Sequence, residues 1–439
     1  MHTLGEWRVA APTSASSLEE QPIIRFRGIN IPAKLPHTPN QLQSTHNSQG
    51  LYTTKHNVSF VGSPFPLSEA KDHFQRLSNY GYNIIRLSVT WEAVMHEGPG
   101  IVDNDYLAYL SSLIDEAALH GLYVLIDPHQ DVWSRFTGGD GAPFWTLDAV
   151  GFQTENNALH ETGCATLHQF FRKSKQDQVP KMIWPTNYGK LATATMFTLF
   201  FAGDVYAPNI FIDSKYWNST IEEDEEECHS ARMVCPDENE RPVTIQSFLQ
   251  KQYILFIDAV AKSVKDKTNV VGFNTMNEPN NGFIGVSDLR ERSSPFLIGH
   301  ILSYFDGMRL GSGESIYSDY YRAPFQYYLK SLLNPNKQLA WKSIEHDVWK
   351  KVGIYDIDHE TGERILLRPD HFTFHGNFIE EYMVPFFHSI QTTINQHNNQ
   401  FVTFAEPFID LREPLFHQAP KSLDVNKFSW APAHWVSIY

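Results

Sequence analysis

Cysteine is scarce in this chain, with only Cys164, Cys228 and Cys235 among 439 residues. An odd, sparse set makes no disulfide framework, and the spacing matches no zinc pattern, so reduced thiols are expected. Long apolar runs are also missing. Met196 to Ala202 is cut short by Gly203 and Asp204, well under the roughly twenty apolar residues of a membrane span. It reads either as a buried helix or as an apolar lip touching lipid. The N-terminus, Met1-His2-Thr3-Leu4-Gly5-Glu6-Trp7, has neither a basic start nor an apolar core, so no secretory signal is read there. The sequons Asn57-Val58-Ser59 and Asn218-Ser219-Thr220 are then read as chance, and cytoplasmic residence is expected. Positive charge is short as well. Lys and Arg number 35 against 50 Asp and Glu, a formal net charge of −15. No basic stripe stands ready to displace counterions from phosphates, which argues against a nucleic-acid partner.

Aromatic residues, by contrast, are plentiful: 30 Phe, 19 Tyr and 10 Trp suffice for a core and for a cleft that binds sugar or lipid. Apolar strands and one-faced helices alternate along the chain. Ile23 to Asn30 reads as a first strand. A helix follows with Ser68 as its cap, Phe74 and Leu77 facing inward and Gly81 as its left-handed stop. Asn83 to Val89 is a second strand. Asn104 to His120 repeats apolar residues at Leu107, Leu110, Leu113, Ile114 and Ala117 before Leu122 to Asp127. A further helix, Thr244 to Lys267, with Phe248, Gln252, Leu255 and Ala259 on one face, feeds a strand near Val271. Alternation at this spacing predicts an α/β fold with a parallel sheet. Strand candidates near Phe26, Ile85, Val124, Val271, Val402 and Ser429 make six, where a (β/α)8 barrel needs eight. The fold expected is therefore a TIM-type barrel, incomplete at about six strands. Residues 1–22 form a disordered lead-in, 23–439 the barrel, and insertions span about 130–241 and 282–400. The acid run Glu222 to Glu227 reads as a solvated loop.

The chemistry concentrates at strand ends. Val270-Val271-Gly272-Phe273-Asn274-Thr275-Met276-Asn277-Glu278-Pro279 delivers an amide and a carboxyl to the C-terminal mouth of its strand, where βα barrels place catalytic groups. Pro and Asn also stop strands without any function. Read functionally, Glu278 is the proton donor of a retaining glycosidase, which needs a second, ionised carboxyl about 5–5.5 Å away. Asn277 is placed to hold a sugar hydroxyl. Arg86, at another strand end, either pairs with a rim carboxylate or keeps a nucleophile ionised. His129 and Trp133, in Asp127-Pro128-His129-Gln130-Asp131-Val132-Trp133, offer a hydrogen bond and a stacking ring for a pyranose, or serve only as structure. A metal on His129 and Asp131 lacks a second cluster for the remaining ligands, and neither metal nor cofactor is expected. Glu406, also followed by Pro, is a lesser candidate for the second carboxylate.

Asp127 to Phe136, Pro180-Lys181-Met182-Ile183-Trp184-Pro185-Thr186-Asn187-Tyr188 and Met276 to Asn280 resemble the clan A glycoside hydrolases of family 5. Closer still is the resemblance to fungal endoglycoceramidase-related β-glucosidases that act on ergosteryl glucoside or glucosylceramide. The likeness runs from about Phe26 to Trp435. It implies a (β/α)8 barrel followed by a β-sandwich domain, which this chain ends before. It implies Glu278 as acid/base, with Asn277, Arg86 and His129 in the glycone site. It also implies a nucleophilic Glu on the seventh strand, which nothing here matches. The sixth-strand motif departs from the family, since Pro432-Ala433-His434-Trp435-Val436-Ser437 carries an intruding Ala and no Tyr-Asp pair. His434 is the candidate sugar-site histidine. The altered ending leads us to expect a truncated or mis-spliced product. The expected partner is a glucosylated sterol or ceramide, with Phe197, Phe200 and Phe201 shaping a lipid channel and peripheral contact with membrane lipid. The rival expectations are a truncated, inactive glycolipid-binding fragment and a secreted polysaccharide hydrolase.

Overall fold

The computed structural model describes residues 26–36, 58–155, 157–166, 184–212, 243–294, 299–322, 327–408 and 428–430. The lead-in, the acid run, Cys228, Cys235, the asparagines of both sequons and His434 lie outside the described residues.

Six parallel strands pair in chain order, β1 (Gly28–Ile31), β2 (Ile84–Thr90), β3 (Tyr123–His129), β4 (Val270–Asn274), β5 (Val402–Ala405) and β6 (Phe428–Trp430). Helices α1 (Leu67–Asn79), α2 (Asn104–Leu119), α4 (Ile245–Val264) and α5 (Val384–His397) pack side by side as the outer layer, and α3 (Leu191–Tyr206) lies against α4. Strand, helix and strand in this order are the repeating unit of a TIM-type barrel. β2 is buried along its whole length, as a parallel strand covered on both faces must be.

Several local expectations shift. Pro66, not Ser68, stands at the N-cap of α1, so Ser68 is already helical, while Gly81 takes the left-handed turn at φ +78°. α4 starts on Thr244, whose hydroxyl accepts from the Ser247 amide. Its buried face is rotated toward Leu249, Tyr253, Phe256 and Val260, leaving Leu255 and Ala259 half-buried, because α3 and α5 flank it on both sides.

The insertion around 282–400 is more ordered than its polar composition implies. It holds a helix at Tyr304–Gly311 and antiparallel hairpins at 316–333 and 355–366. It also ends in α5, the barrel helix before β5. The apolar spacing of Phe386, Phe387, Ile390 and Ile394 marks that helix, and all four are buried.

Met196 to Ala202 lies within α3 and is buried throughout. Phe200 meets Trp133, Tyr253 and Phe386 edge to face, and Phe201 meets Phe378 and Phe386. Phe197, Phe200 and Phe201 therefore build core and do not line a lipid channel. Each ring gains more by meeting other rings than by facing water. No helix among the described residues is long and apolar enough to cross a membrane.

Candidate active site

A bulge in β4 sets the site up. Val124 aligns with Val270 and Leu125 with Gly272, so Val271 is the extra residue. Gly272 sits at φ +156°, and a side chain there would overlap the Val402 carbonyl of β5. Only glycine lets the two backbones approach this closely. Beyond the bulge, Asn274 points at the neighbouring strand ends. Its Nδ2 donates to Asp127 Oδ1 (2.9 Å) and Glu406 Oε1 (2.6 Å).

Arg86 is the hub. Its Nη2 donates to Asp127 Oδ1 (2.7 Å), Asn277 Oδ1 (2.8 Å) and Glu406 Oε1 (2.8 Å). Burial opposes its charge, but the Asp127, Glu406 and Glu278 carboxylates outweigh it and raise the guanidinium further. Asp127 is fully buried, yet Arg86 and His129 hold its carboxyl well below the usual range. Of the two readings of Arg86, the structure shows the pairing with carboxylates. It pairs with rim carboxylates, and one of them, Glu406, is the lesser candidate at the strand end.

Glu278 itself stands at φ +42°, a left-handed conformation that few residues with a side chain adopt. Its amide donates to Glu406 Oε2 (3.2 Å), while the Gln130 side-chain amide donates to the Asn277 and Glu278 carbonyls, both at 2.8 Å. Those three bonds hold a backbone that would otherwise relax. Asn277 spends its carbonyl on Arg86 and one N–H on the Gln130 carbonyl (2.9 Å), so it braces the mouth as well as facing it. Glu406 is 2% exposed with both oxygens engaged. Its local role is to fix Arg86, Asn274 and the Glu278 backbone.

On the other side, His129 Nδ1 lies 2.7 Å from Asp127 Oδ2. Because that carboxylate is ionised, Nδ1 carries the proton and Nε2 faces Asp131 Oδ2 at 3.6 Å and Asp140 Oδ1 at 3.9 Å. Burial and Lys34 disfavour the imidazolium, but Asp127 and Asp140 prevail and raise His129 to about 9. Asp140 is pushed up to about 7 by burial and by the Asp131 charge. Lys34 Nζ sits 2.5 Å from Asp131 and 3.7 Å from Asp140.

The missing third group beside His129 and Asp131 is thus Asp140. It arrives through an antiparallel bridge between the backbones of Asp131 and Asp140, a contact that spacing in sequence conceals. The ligand atoms of the three lie within 4.8 Å of one another, close enough for a cation, but the Lys34 ammonium already occupies that role. Arg135 Nε anchors the same loop by donating to both Glu92 oxygens at 2.8 Å.

Trp133 departs from expectation. It is 2% exposed, meets Trp91, Phe197 and Phe200 edge to face, and donates its indole N–H to Thr146 Oγ1 (3.0 Å). Its ring is spent on the core beneath the site and is not laid open for a sugar to stack. Lys34, Asn274, Gln130 and Asp140 are the site residues that strand-end motifs alone do not single out.

Residues 42–165 match the family model Cellulase (glycosyl hydrolase family 5). The chain is similar to glycoside hydrolase family 5 through that segment. A glucosylceramidase of Rhizopus delemar is 34% identical over 409 residues, 90% of this chain and 54% of that protein. The ergosteryl-beta-glucosidase of Saccharomyces cerevisiae is 31% identical over 451 residues, 91% of this chain and 54% of that protein. Among solved structures, Cryptococcus neoformans sterylglucosidase 1 with tris superposes with a TM-score of 0.74 at 28% identity, covering 92% of this chain and 56% of that one. The chain spans about half the length of the curated relatives it matches. Its six parallel strands, paired in chain order, have the α/β arrangement of a (β/α)8 TIM-type barrel.

Proposed function

We propose that this chain carries the acid/base half of a retaining β-glucosidase site for glycolipids whose aglycone is a sterol or a ceramide. The observation that carries the reading is Glu278. It is held in a left-handed turn at the mouth of β4 by Glu406 and Gln130, beside the Arg86–Asn277 pair. The names of the relatives, glucosylceramidase and ergosteryl-beta-glucosidase, support the substrate class.

In the reaction, Glu278 gives its proton to the glycosidic oxygen as the bond to the anomeric carbon breaks. A carboxylate on the opposite face bonds to that carbon as the aglycone leaves; Glu278 then takes a proton from water, whose oxygen attacks the same carbon, breaks its bond to the carboxylate and releases glucose. The attacking carboxylate is expected on a seventh strand, which the described residues do not include. Arg86 and the raised His129 supply positive charge that keeps Asp127 ionised. Access to such substrates fits a cytoplasmic protein that touches internal membranes peripherally, and fractionation of tagged protein tests that placement.

The paired assay is hydrolysis of ergosteryl glucoside and of glucosylceramide by a full-length version that includes the seventh strand and by its Glu278→Gln variant. Loss of a general acid costs about 10²–10⁴-fold, so the variant should turn over neither natural glycoside. Undiminished turnover would remove Glu278 from the acid role. Binding of both glycolipids without turnover by the unmodified chain would mark a glycolipid-binding module instead.

A further inference from the structure

Gln130 joins two stretches of backbone that are each held in a conformation side-chain-bearing residues rarely adopt. One is Glu278 at φ +42°; the other is the pair Val132 and Trp133, at φ +46° and +81°. A β-branched valine in that region is strained, so the bonds around it must hold it there. The Gln130 amide lies between the two stretches. Its Nε2 donates to the Asn277 and Glu278 carbonyls, both at 2.8 Å, and its Oε1 accepts from the Trp133 N–H at 2.9 Å. These partners fix which way round the amide sits, because a flip would set its oxygen against two carbonyls. The main chain closes the link, since the Asn277 side-chain amide donates to the Gln130 carbonyl (2.9 Å).

Gln130 is itself pinned. It is 6% exposed, and Gly141 packs so closely on its Cα and Cβ that a side chain at 141 would overlap them. The strained loop beyond it is tied down by two hydroxyls. Thr137 and Thr193 Oγ1 both donate to the Val132 carbonyl, at 2.6 and 3.0 Å. Thr193 belongs to α3, in the first insertion. Bonded contacts therefore run from α3 through Val132, Trp133 and Gln130 to the Glu278 backbone. None of them touches the Glu278 carboxyl, so they act on where it stands and not on its charge.

We infer that Gln130 is a positioning residue for proton transfer: it clamps the left-handed Glu278 backbone and so keeps that carboxyl at the glycosidic oxygen. This assignment rests on the glycosidase reading above and deepens it. Without the clamp, the Asn277–Glu278 backbone relaxes and carries the carboxyl off the leaving oxygen. A displacement of about 1 Å costs on the order of 100-fold in a positioned step. The penalty falls only where a proton is needed. An alkoxide leaving from an alkyl glucoside needs one, whereas a dinitrophenolate departs without it.

The test compares n-octyl β-D-glucoside with 2,4-dinitrophenyl β-D-glucoside as substrates of a full-length version that includes the seventh strand. Its variants are Gln130→Met, the isosteric Gln130→Glu, Glu278→Gln, and Gln130→Met combined with Glu278→Gln. For Gln130→Met, kcat/KM on the octyl glucoside should fall about 30–100-fold, and on the dinitrophenyl glucoside stay within about threefold. On the latter, kcat and KM should fall together, because the attacking water still needs Glu278 to take its proton. Azide attacks the anomeric carbon without a base, so it should restore that kcat. The ratio of the two substrates on one sample does not depend on how much of it is folded, so partial misfolding cannot hide the effect. Gln130→Glu, with an oxygen set against the two carbonyls, should show the same split. In the double variant the octyl glucoside loss should match that of Glu278→Gln alone, because the clamp acts only through that carboxyl. Equal losses on both glucosides would make Gln130 merely structural and overturn the proposal. So would full activity of Gln130→Met, or losses that multiply in the double variant. If the unaltered full-length protein cleaves neither glucoside, or Glu278→Gln slows both alike, the glycosidase reading falls together with this one.

Discussion

Replacing Arg86 by methionine keeps most of the aliphatic stem and removes the one guanidinium shared by Asp127 and Glu406. Breaking a buried ion pair by deleting one partner costs about 3–5 kcal/mol, because a charge is left uncompensated. Two carboxylates are stranded here, but the loss does not double. Asp127 keeps His129 and Asn274, and Glu406 keeps Asn274 and the Glu278 amide. A loss of about 3–5 kcal/mol is therefore expected, against a total stability of about 5–15 kcal/mol for a folded domain. The assay is urea unfolding followed by tryptophan fluorescence at pH 7.5 and at pH 5.

The sign of the pH effect follows from Asp127. Its depressed carboxyl contributes stability above the ordinary carboxylate range, and that contribution is lost as pH falls. Without Arg86 the stranded carboxyls take up protons sooner, so the variant and the unaltered chain should converge toward acid pH. Arg86→Lys should lose less than Arg86→Met, since a single nitrogen makes all three bonds. A loss below about 1 kcal/mol, the range of exposed pairs, or an equal loss at both pH values would refute the hub.

The remaining predictions are more local. Gly272→Ala should cost about 3 kcal/mol or more, or abolish soluble expression, because β4 and β5 cannot part without undoing the bulge. An unchanged melting midpoint would show that the strands can separate. The raised His129 contributes stability that is fully present below its ordinary value and lost as pH climbs through about 9, a change on the order of 3 kcal/mol. His129→Gln should flatten that alkaline decline in thermal melts. Asp140, raised to about 7, works in a lower window, where its unwelcome charge makes stability fall as pH rises from about 4 toward 7. Asp140→Asn should remove this slope, and an identical pH profile would contradict it.

The strand-end motifs carried much of the site because a parallel barrel collects the C-terminal ends of its strands at one mouth. Glu278, Asn277 and Glu406 could be named from local sequence for that reason. Trp133 could not be assigned so easily. An aromatic four residues past a strand end reads the same whether it opens toward ligand or, as here, turns under the loop to meet Phe197 and Phe200. Helix α5 was hidden by the polar insertion in front of it, although its own apolar period was present.

Periodicity and turn residues, acting over a few residues, determined the six strands, the order in which they alternate with helices, and the delivery of Glu278 to a strand mouth. They needed no distant partner to do so. Only the tertiary structure decided that Arg86 binds three acceptors from three different strand ends, up to 320 positions away in sequence. It alone brought Asp140 and Lys34 beside His129. Burial and Coulomb interaction depend on separation in space, and nothing in a local stretch of chain encodes which distant charge will arrive next to it.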